Sequence, residues 1–447
     1  MKLFRLLAMA GLLILTSFFF FPFEFTFLPG MNTKMVMAGV GLVVLAFHFA
    51  RRRELTPDKD FLGIVGLALL VSLIGFAAVT YNSTNDYTYA SYFVSMAVWL
   101  SAAYVVVTAI GKVHGGADVE VVCNYLIVVC TLQCLIAISM SFVPSLKAFV
   151  DSFLAGQGFM GKMDDRLYGV GCSLDVAGSR FCAVMIMIAE MMRRSAKRGD
   201  IWKIYLYVCA FAIIAVIGNM IARTTTIGIG MMVIYLIVIT FMKKSSGGEG
   251  LGRMWKVVVW MSALAVVISV VLYNVSPIFR YNLHFAFEGF FSLAETGKWE
   301  VHSNEILKSM VLFPDNLKTW LIGNGYFDNP YWRDPYYVGP NFSGYYMQTD
   351  IGYCRFLFYF GIFGLLAFIA YFIKVATTCM KRFPDYKLMF FAILMVNFIV
   401  WCKVSSDIFL VFAIFLCIPK QTEELYETPP NHPLPCESRR DGEGAGE

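Results

Sequence analysis

The sequence predicts an all-α, polytopic membrane protein of about 12 transmembrane helices with a large outer (periplasmic) loop between spans 9 and 10. Three observations predict it. Of 447 residues, 58% are hydrophobic and only 15% are charged, whereas a soluble domain carries roughly 45–50% and about 25%. The mean hydropathy is +0.66, so a soluble fold would leave large apolar areas in water. The apolar residues form long runs without period-two alternation, which suits membrane helices and not barrel strands.

The start, MKLFR followed by LLAMAGLLILTSFFFFPF, has the basic flank of a signal peptide. It has no small-x-small cleavage site and a second apolar run follows closely, so it is expected to remain as the first span, 4–24. Further spans are expected at 33–50, 60–80, 88–111, 119–142, 178–194, 202–222, 224–242, 254–274, 350–373, 387–402 and 405–419. A crossing needs about 20 mostly apolar residues, and the last two runs are short. With the N-terminus inside, 23 of the 36 Lys and Arg fall on inner segments. The other 13 fall outside, and five of them (Arg280, Lys298, Lys308, Lys318, Arg333) sit in one long loop that counts little. The bias places both termini in the cytoplasm.

This gives a membrane domain, 1–419, with outer loops at 143–179 and 275–349, and a polar tail, 420–447, expected to be disordered. No internal repeat is evident. The net charge of +5 is small and belongs to the loops, so no nucleic-acid partner is expected. Among the 11 Cys, Cys123, Cys130, Cys134, Cys182, Cys209, Cys402 and Cys417 lie in apolar runs, where Cys acts as a small hydrophobe. No CxxC and no Cys/His spacing suits a metal, so neither a metal site nor a disulfide framework is expected. The inner loops leave no room for a nucleotide-binding domain. Chemistry is expected outside or within the bilayer, away from ATP and nucleotide sugars, on a substrate that arrives activated.

Ionisable residues close to a membrane interior are functional candidates. Five arginines on the outer side qualify: Arg166 in DDRLYGVG, Arg180 at the start of the sixth span, Arg223 in the turn between spans seven and eight, Arg280 in SPIFRYN, and Arg355 one turn into the tenth span. Arg223 is the most informative, because the two spans join with almost no loop and the cation works against the positive-inside bias. Several guanidiniums at one membrane face suit a diphosphate, whose oxygens the planar fork binds bidentately. The plain alternative is snorkelling or a structural ion pair, and for Arg355 a pair with Asp350 or Glu190.

The long outer loop carries Trp299, Trp320, Trp332, Tyr326, Tyr331, Tyr336, Tyr337, Tyr345 and Tyr346 among Asn, Asp and Gly. Flat amphipathic rings beside polar groups suit a glycan; an interfacial aromatic belt and a small loop core are the alternative. His302 is placed on a helix with Glu305 at i+3, as a general base near neutral pH or as an ordinary solvated residue. Asp164, Asp165, Asp175, Glu288, Glu295, Glu300 and Asp350 are further outer carboxylates, and spacing does not choose among them.

Three segments together resemble the O-antigen polymerase and O-antigen ligase superfamily of bacterial membrane glycosyltransferases. RLYGVGCSLDVAGSRFCAVMIMIAE resembles its Arg-x-x-Gly stretch running into a span. IARTTTIGIGMMVIYLI is similar to its short Ser/Thr–Arg–small turn. WLIGNGYF followed by TDIGYCRFLFYFGIFGLLAF resembles the G-x-G to Gly-Ile-x-Gly ending of its large loop. The resemblance implies a multi-pass enzyme of the bacterial inner (plasma) membrane. It would move a glycan from undecaprenyl diphosphate to an acceptor sugar hydroxyl, without nucleotide, metal or other cofactor. Arg166 and Arg223, with Arg280, Arg180 and Arg355, would bind the diphosphate. Trp299, Trp320, Tyr326, Trp332 and Tyr345 would bind the glycan, and Asp350 or His302 would take the acceptor proton. A chain-length regulator is a further candidate partner. Ligases carry a His just before the span after the large loop; here that position reads MQTDIGY, with Asp350, which favours a repeat-unit polymerase. The alternatives are an O-antigen ligase and a lipid-linked oligosaccharide flippase or transporter.

Overall fold

The computed structural model describes residues 2–52, 58–155, 166–242, 248–342 and 344–419. The expected disordered tail, Asp164, Asp165 and the middle of the first outer loop lie outside the described residues. Among the described residues the chain is helical, with isolated β-bridges and no named strand.

The helices, numbered in chain order, are α1 (Lys2–Phe20), α2 (Thr33–Arg52), α3 (Lys59–Asn82), α4 (Tyr92–His114), α5 (Val119–Phe142), α6 (Pro144–Phe153), α7 (Leu174–Arg198), α8 (Ile201–Ile221), α9 (Thr225–Met242) and α10 (Gly248–Val275). The large loop follows with α11 (Pro277–Ala286), α12 (Glu288–Thr296), α13 (His302–Ser309), α14 (Leu317–Leu321) and α15 (Pro330–Arg333). The chain closes with α16 (Gly352–Arg382), α17 (Lys387–Val400) and α18 (Phe409–Leu416).

Eight of these are long and apolar enough to cross a membrane: α2, α3, α4, α5, α8, α9, α10 and α16. The other four expected spans depart for separate reasons. The apolar part of α1 is shorter, Phe4–Phe20. α7 carries Arg180, Glu190 and Arg193 in its length. α17 has 14 residues and α18 only eight.

α7 is the axis of the assembly. It is buried almost continuously from Ala177 to Met192, against α8, α9, α5, α17 and α10. Small residues bring its neighbours close, as in other membrane bundles. A Cβ at Gly228 would collide with Cys182 of α7, and one at Gly178 would meet Ala222 and Thr224. The charges on α7 are met internally. Glu190, 1% exposed, receives Arg193 Nε at 2.7 Å, Arg194 Nε at 2.9 Å and the Tyr235 hydroxyl at 2.8 Å. A buried carboxylate needs this full set of donors. At the periphery α10 is 6% buried over its apolar window and exposes Val259, Trp260, Val266 and Val267, a face suited to lipid.

α16 is broken at Phe360 and Gly361, the latter at φ 68° and ψ −170°, a conformation open to Gly alone. The large loop fills the break. Asn324 N–H donates to the Phe358 carbonyl at 2.6 Å and Gly325 N–H to that of Tyr359 at 3.0 Å. The same loop strand is clasped from α3: Thr84 Oγ1 donates to the Gly325 carbonyl at 2.9 Å. The fully buried Asp86 accepts the N–H groups of Phe327 at 2.8 Å and Asp328 at 3.1 Å. The two halves of the third resembling segment, WLIGNGYF and GIFG, thus meet in space.

Candidate functional site

The turn between α8 and α9 is only Ala222–Thr224, and two threonines fix it. Thr225 Oγ1 donates to the Gly218 carbonyl at 3.0 Å and Thr226 Oγ1 to Asn219 Oδ1 at 2.7 Å. Arg223 is held at this end of the bundle by rigid helices, as the short loop predicts. Its guanidinium lies 4.0 Å from the Phe285 ring centroid, donates from Nε to the Phe285 carbonyl at 3.0 Å and from Nη1 to Ser303 Oγ at 2.9 Å. Nη1 also stands 2.7 Å from Glu288. Phe285 is on α11, which Ser276 caps at the Phe279 N–H and Pro277 starts, a favoured way to open a helix.

Arg166 approaches the same ring, with its guanidinium carbon 5.4 Å from the centroid. It lines a cleft of about 570 Å³ between α5, α6 and α11, with Lys147, Tyr168, Tyr281 and Asn282 as its other polar walls. Ala137, Met140 and Ile278 supply an apolar side. Lys147 stands over the Tyr168 ring at 5.5 Å, and Asp151 fixes that ring by accepting from its hydroxyl.

Beside Arg223 three segments meet at Lys403, in the loop after α17. Its Nζ is 2.8 Å from Thr224 Oγ1 and 3.2 Å from Asp175 Oδ1 at the start of α7. Thr224 donates to the same carboxylate. Asp350 feels this group electrostatically. Burial pushes its carboxyl above the ordinary range and Asp175 adds to the rise, against the pull of Arg355, Lys403 and Arg166. The charges therefore sort into two pairs, Arg223–Glu288 and Lys403–Asp175. Among the described residues Arg166 has no hydrogen bond or ion pair, and Asp350 no ion pair.

Convergence of all five arginines is not what the fold provides. Arg180 is buried inside the bundle, with Nη1 on the Phe20 carbonyl at 2.5 Å and its guanidinium 5.6 Å from the Phe21 ring. Arg280 is exposed and turns back to the end of α10, to the carbonyls of Tyr273 at 3.0 Å and Asn274 at 3.4 Å, where a cation complements the helix dipole. Arg355 is 4% exposed and sandwiched between Phe327 at 3.6 Å and Tyr345 at 3.5 Å, bonded to Asp328 and Ser405. Its ion-pair partner is Asp328, in place of the expected Asp350 or Glu190. Only Arg166 and Arg223 share a surface.

His302 starts α13 as expected, is exposed, and donates its backbone N–H to Glu288 at 3.3 Å, which brings it to the Arg223 group. The loop aromatics divide. Tyr326 is buried with its hydroxyl on Asp334 at 3.1 Å. Trp320 is pinned through Nε1 to the Pro314 carbonyl at 2.8 Å and stacks on Phe313. Trp299, Trp332 and Tyr345 are exposed at 53%, 74% and 42%. Tyr326 and Trp320 belong to the small loop core, Trp299 and Trp332 remain available to a ligand, and Tyr345 has one face covered by Arg355.

Sequence spacing does not mark Lys403, Phe285 or Ser303 as members of this group, and it does not single out Asp175 and Glu288 among the outer carboxylates. Lys403 has a usable signal: a lone cation between two short apolar runs on the side expected to face outward, the pattern that singles out Arg223. Phe285 and Ser303 have none, being 62 and 80 residues from Arg223.

Among the described residues no group of three or more His, Cys, Asp or Glu suits a metal ion. Comparison with protein-family models, with curated proteins and with solved structures finds no match to this chain.

Proposed function

We propose that this protein is a polysaccharide repeat-unit polymerase acting on the outer face of a bacterial inner membrane, with undecaprenyl-diphosphate-linked glycan as donor and a sugar hydroxyl as acceptor. The observation that carries this is the pair of guanidiniums on Phe285 beside an amphipathic cleft. Arg166 and Lys147 give the cleft a cationic end for two phosphates, and Met140 and Ile278 give it an apolar wall for the first isoprene units. Arg223, braced by Glu288, holds Phe285 and so the position of Arg166.

In the proposed reaction the acceptor oxygen attacks the anomeric carbon of the donor. The bond from that carbon to the diphosphate oxygen breaks, and its electron pair leaves with the diphosphate. Arg166 and Lys147 stabilise the charge that develops there, a contribution on the order of 10²–10³ in rate for one such donor. The hydroxyl proton passes to Asp350, whose partly buried carboxyl is the better base for its raised affinity for protons. In this reading the exposed rings of Trp299, Trp332 and Tyr345 take sugar faces.

The test is reconstitution with a lipid-linked repeat unit. Wild type should form a ladder of polymer, and Arg166→Ala should not. Full-length polymer from folded Arg166→Ala and Arg223→Ala variants would overturn the proposal. Deleting the gene separates the related activities: single repeat units on the final acceptor indicate a polymerase, long chains stranded on the carrier indicate a ligase, and short units on the cytoplasmic leaflet indicate a flippase.

A further inference from the structure

At the other end of the bundle, where α9 finishes at Met242, lies a second pocket of about 450 Å³ between the ends of α7, α9, α16 and α17. We propose that it binds the head group of a zwitterionic glycerophospholipid that carries a primary amine.

The walls give the pocket a depth-dependent chemistry. Ile239, Met242 and Phe391 form its apolar side. Met242 is 72% and Phe391 46% exposed, so this side opens laterally, where acyl chains lie. The polar side carries Glu190, Arg193, Asp385 and Lys387. Glu190 is already saturated by Arg193, Arg194 and Tyr235, so it is no free counter-charge. What remains for a ligand is the outer edge of Arg193, the exposed Lys387 and the exposed Asp385.

The turn presenting the last two is fixed. Arg194 stacks on Tyr386 at 3.6 Å and donates from Nη2 to the Asp385 carbonyl at 3.1 Å. Asp385 and Lys387 therefore stand two residues apart at the rim of one pocket. A ligand of single charge would meet a like charge at this rim. A zwitterion matches both: its phosphate on Lys387 and Arg193, its ammonium donating to Asp385. Basic pockets between membrane helices are established head-group sites, and the carboxylate here adds a requirement for an N–H donor. Phosphatidylethanolamine has one and phosphatidylcholine does not.

The experiment is native mass spectrometry of the full chain, delipidated in detergent and offered phosphatidylethanolamine, phosphatidylcholine or phosphatidylglycerol. Phosphatidylethanolamine should be retained about tenfold more than the other two, the effect of one charge-assisted hydrogen bond of about 1.4 kcal/mol. Asp385→Asn should abolish the preference over phosphatidylcholine, and Lys387→Gln should weaken retention of all three. Both positions are exposed, so thermal unfolding of the variants should match wild type. Equal retention of the three lipids, preference for phosphatidylglycerol, or a preference unchanged in Asp385→Asn would overturn the proposal. So would full competition by glycerophosphoethanolamine at equal concentration, which would show a soluble ligand.

Discussion

The backbone N–H of Asn324 donates to the carbonyl of Phe358 at 2.6 Å, so a loop strand completes a membrane helix where that helix is broken. The contact depends on two glycines at positive φ. A Cβ on Gly323 would overlap the Tyr359 carbonyl, and one on Gly361 would overlap that of Leu321. Gly361→Ala is expected to cost on the order of 1–3 kcal/mol, the strain of a side chain in a backbone region that is essentially glycine's alone. Thermal unfolding in detergent should show a clear drop in midpoint for Gly323→Ala and Gly361→Ala. Gly230→Ala, where a Cβ meets nothing within 4 Å, should leave the midpoint in place.

Arg166 and Arg223 should separate in behaviour although they share Phe285. Arg166→Ala removes a cation that makes no hydrogen bond or ion pair among the described residues and only stands 5.4 Å from the Phe285 ring, so transfer should fall about 10²–10³-fold at nearly unchanged stability. Arg223→Ala strips partners from Glu288, Ser303 and the Phe285 carbonyl, so it should lower both activity and unfolding midpoint. Equal loss of stability in the two variants would contradict this division.

Asp350 sets a pH dependence of definite sign. Its carboxyl is raised in the folded protein, so the native state holds the proton more tightly than the unfolded chain. The stabilisation from the neutral form is complete below the ordinary carboxylate pKa and is lost as pH rises through the raised value. Asp350→Asn should therefore unfold at the same or a higher temperature at pH 7 while losing transfer. In wild type, activity should fall on the acid side at a pH above the ordinary carboxylate range.

Glu190 should be the costliest carboxylate to remove. Glu190→Ala leaves Arg193 and Arg194 without their anion in a buried setting, a change worth about 3–5 kcal/mol. Tyr235→Phe removes one hydrogen bond to a charged group and should cost about 1.5–3 kcal/mol. Unfolding curves of the two variants, read side by side, check the ranking.

The membrane helices were legible wherever apolarity was continuous. The runs at 60–80 and 119–142 appear as α3 and α5 within a few residues, because a helix that faces lipid must be apolar along its length. α7 was legible as a helix but not as the buried axis: Glu190 meets Arg193 and Arg194 within the helix, but the Tyr235 hydroxyl on Glu190 and the Phe20 carbonyl on Arg180 come from far along the chain. The site was legible in part for the same reason. Arg223 announces itself through the shortness of its turn, a local property. The uses of Arg180, Arg280 and Arg355 depend on the carbonyls of Phe20 and Tyr273 and on Asp328, and no spacing rule encodes those meetings.

α18 has a consequence for biogenesis. Its eight residues, Phe409–Leu416, are all buried and reach about 12 Å, against a hydrocarbon core of about 30 Å. Such a segment cannot leave the insertion machinery by partitioning into lipid on its own. Its solvent is the rest of the protein, chiefly α4 and α16, both synthesised earlier. Placing α18 is therefore a folding step and not a partitioning step: the segment must be delivered to a groove that the earlier helices have already assembled.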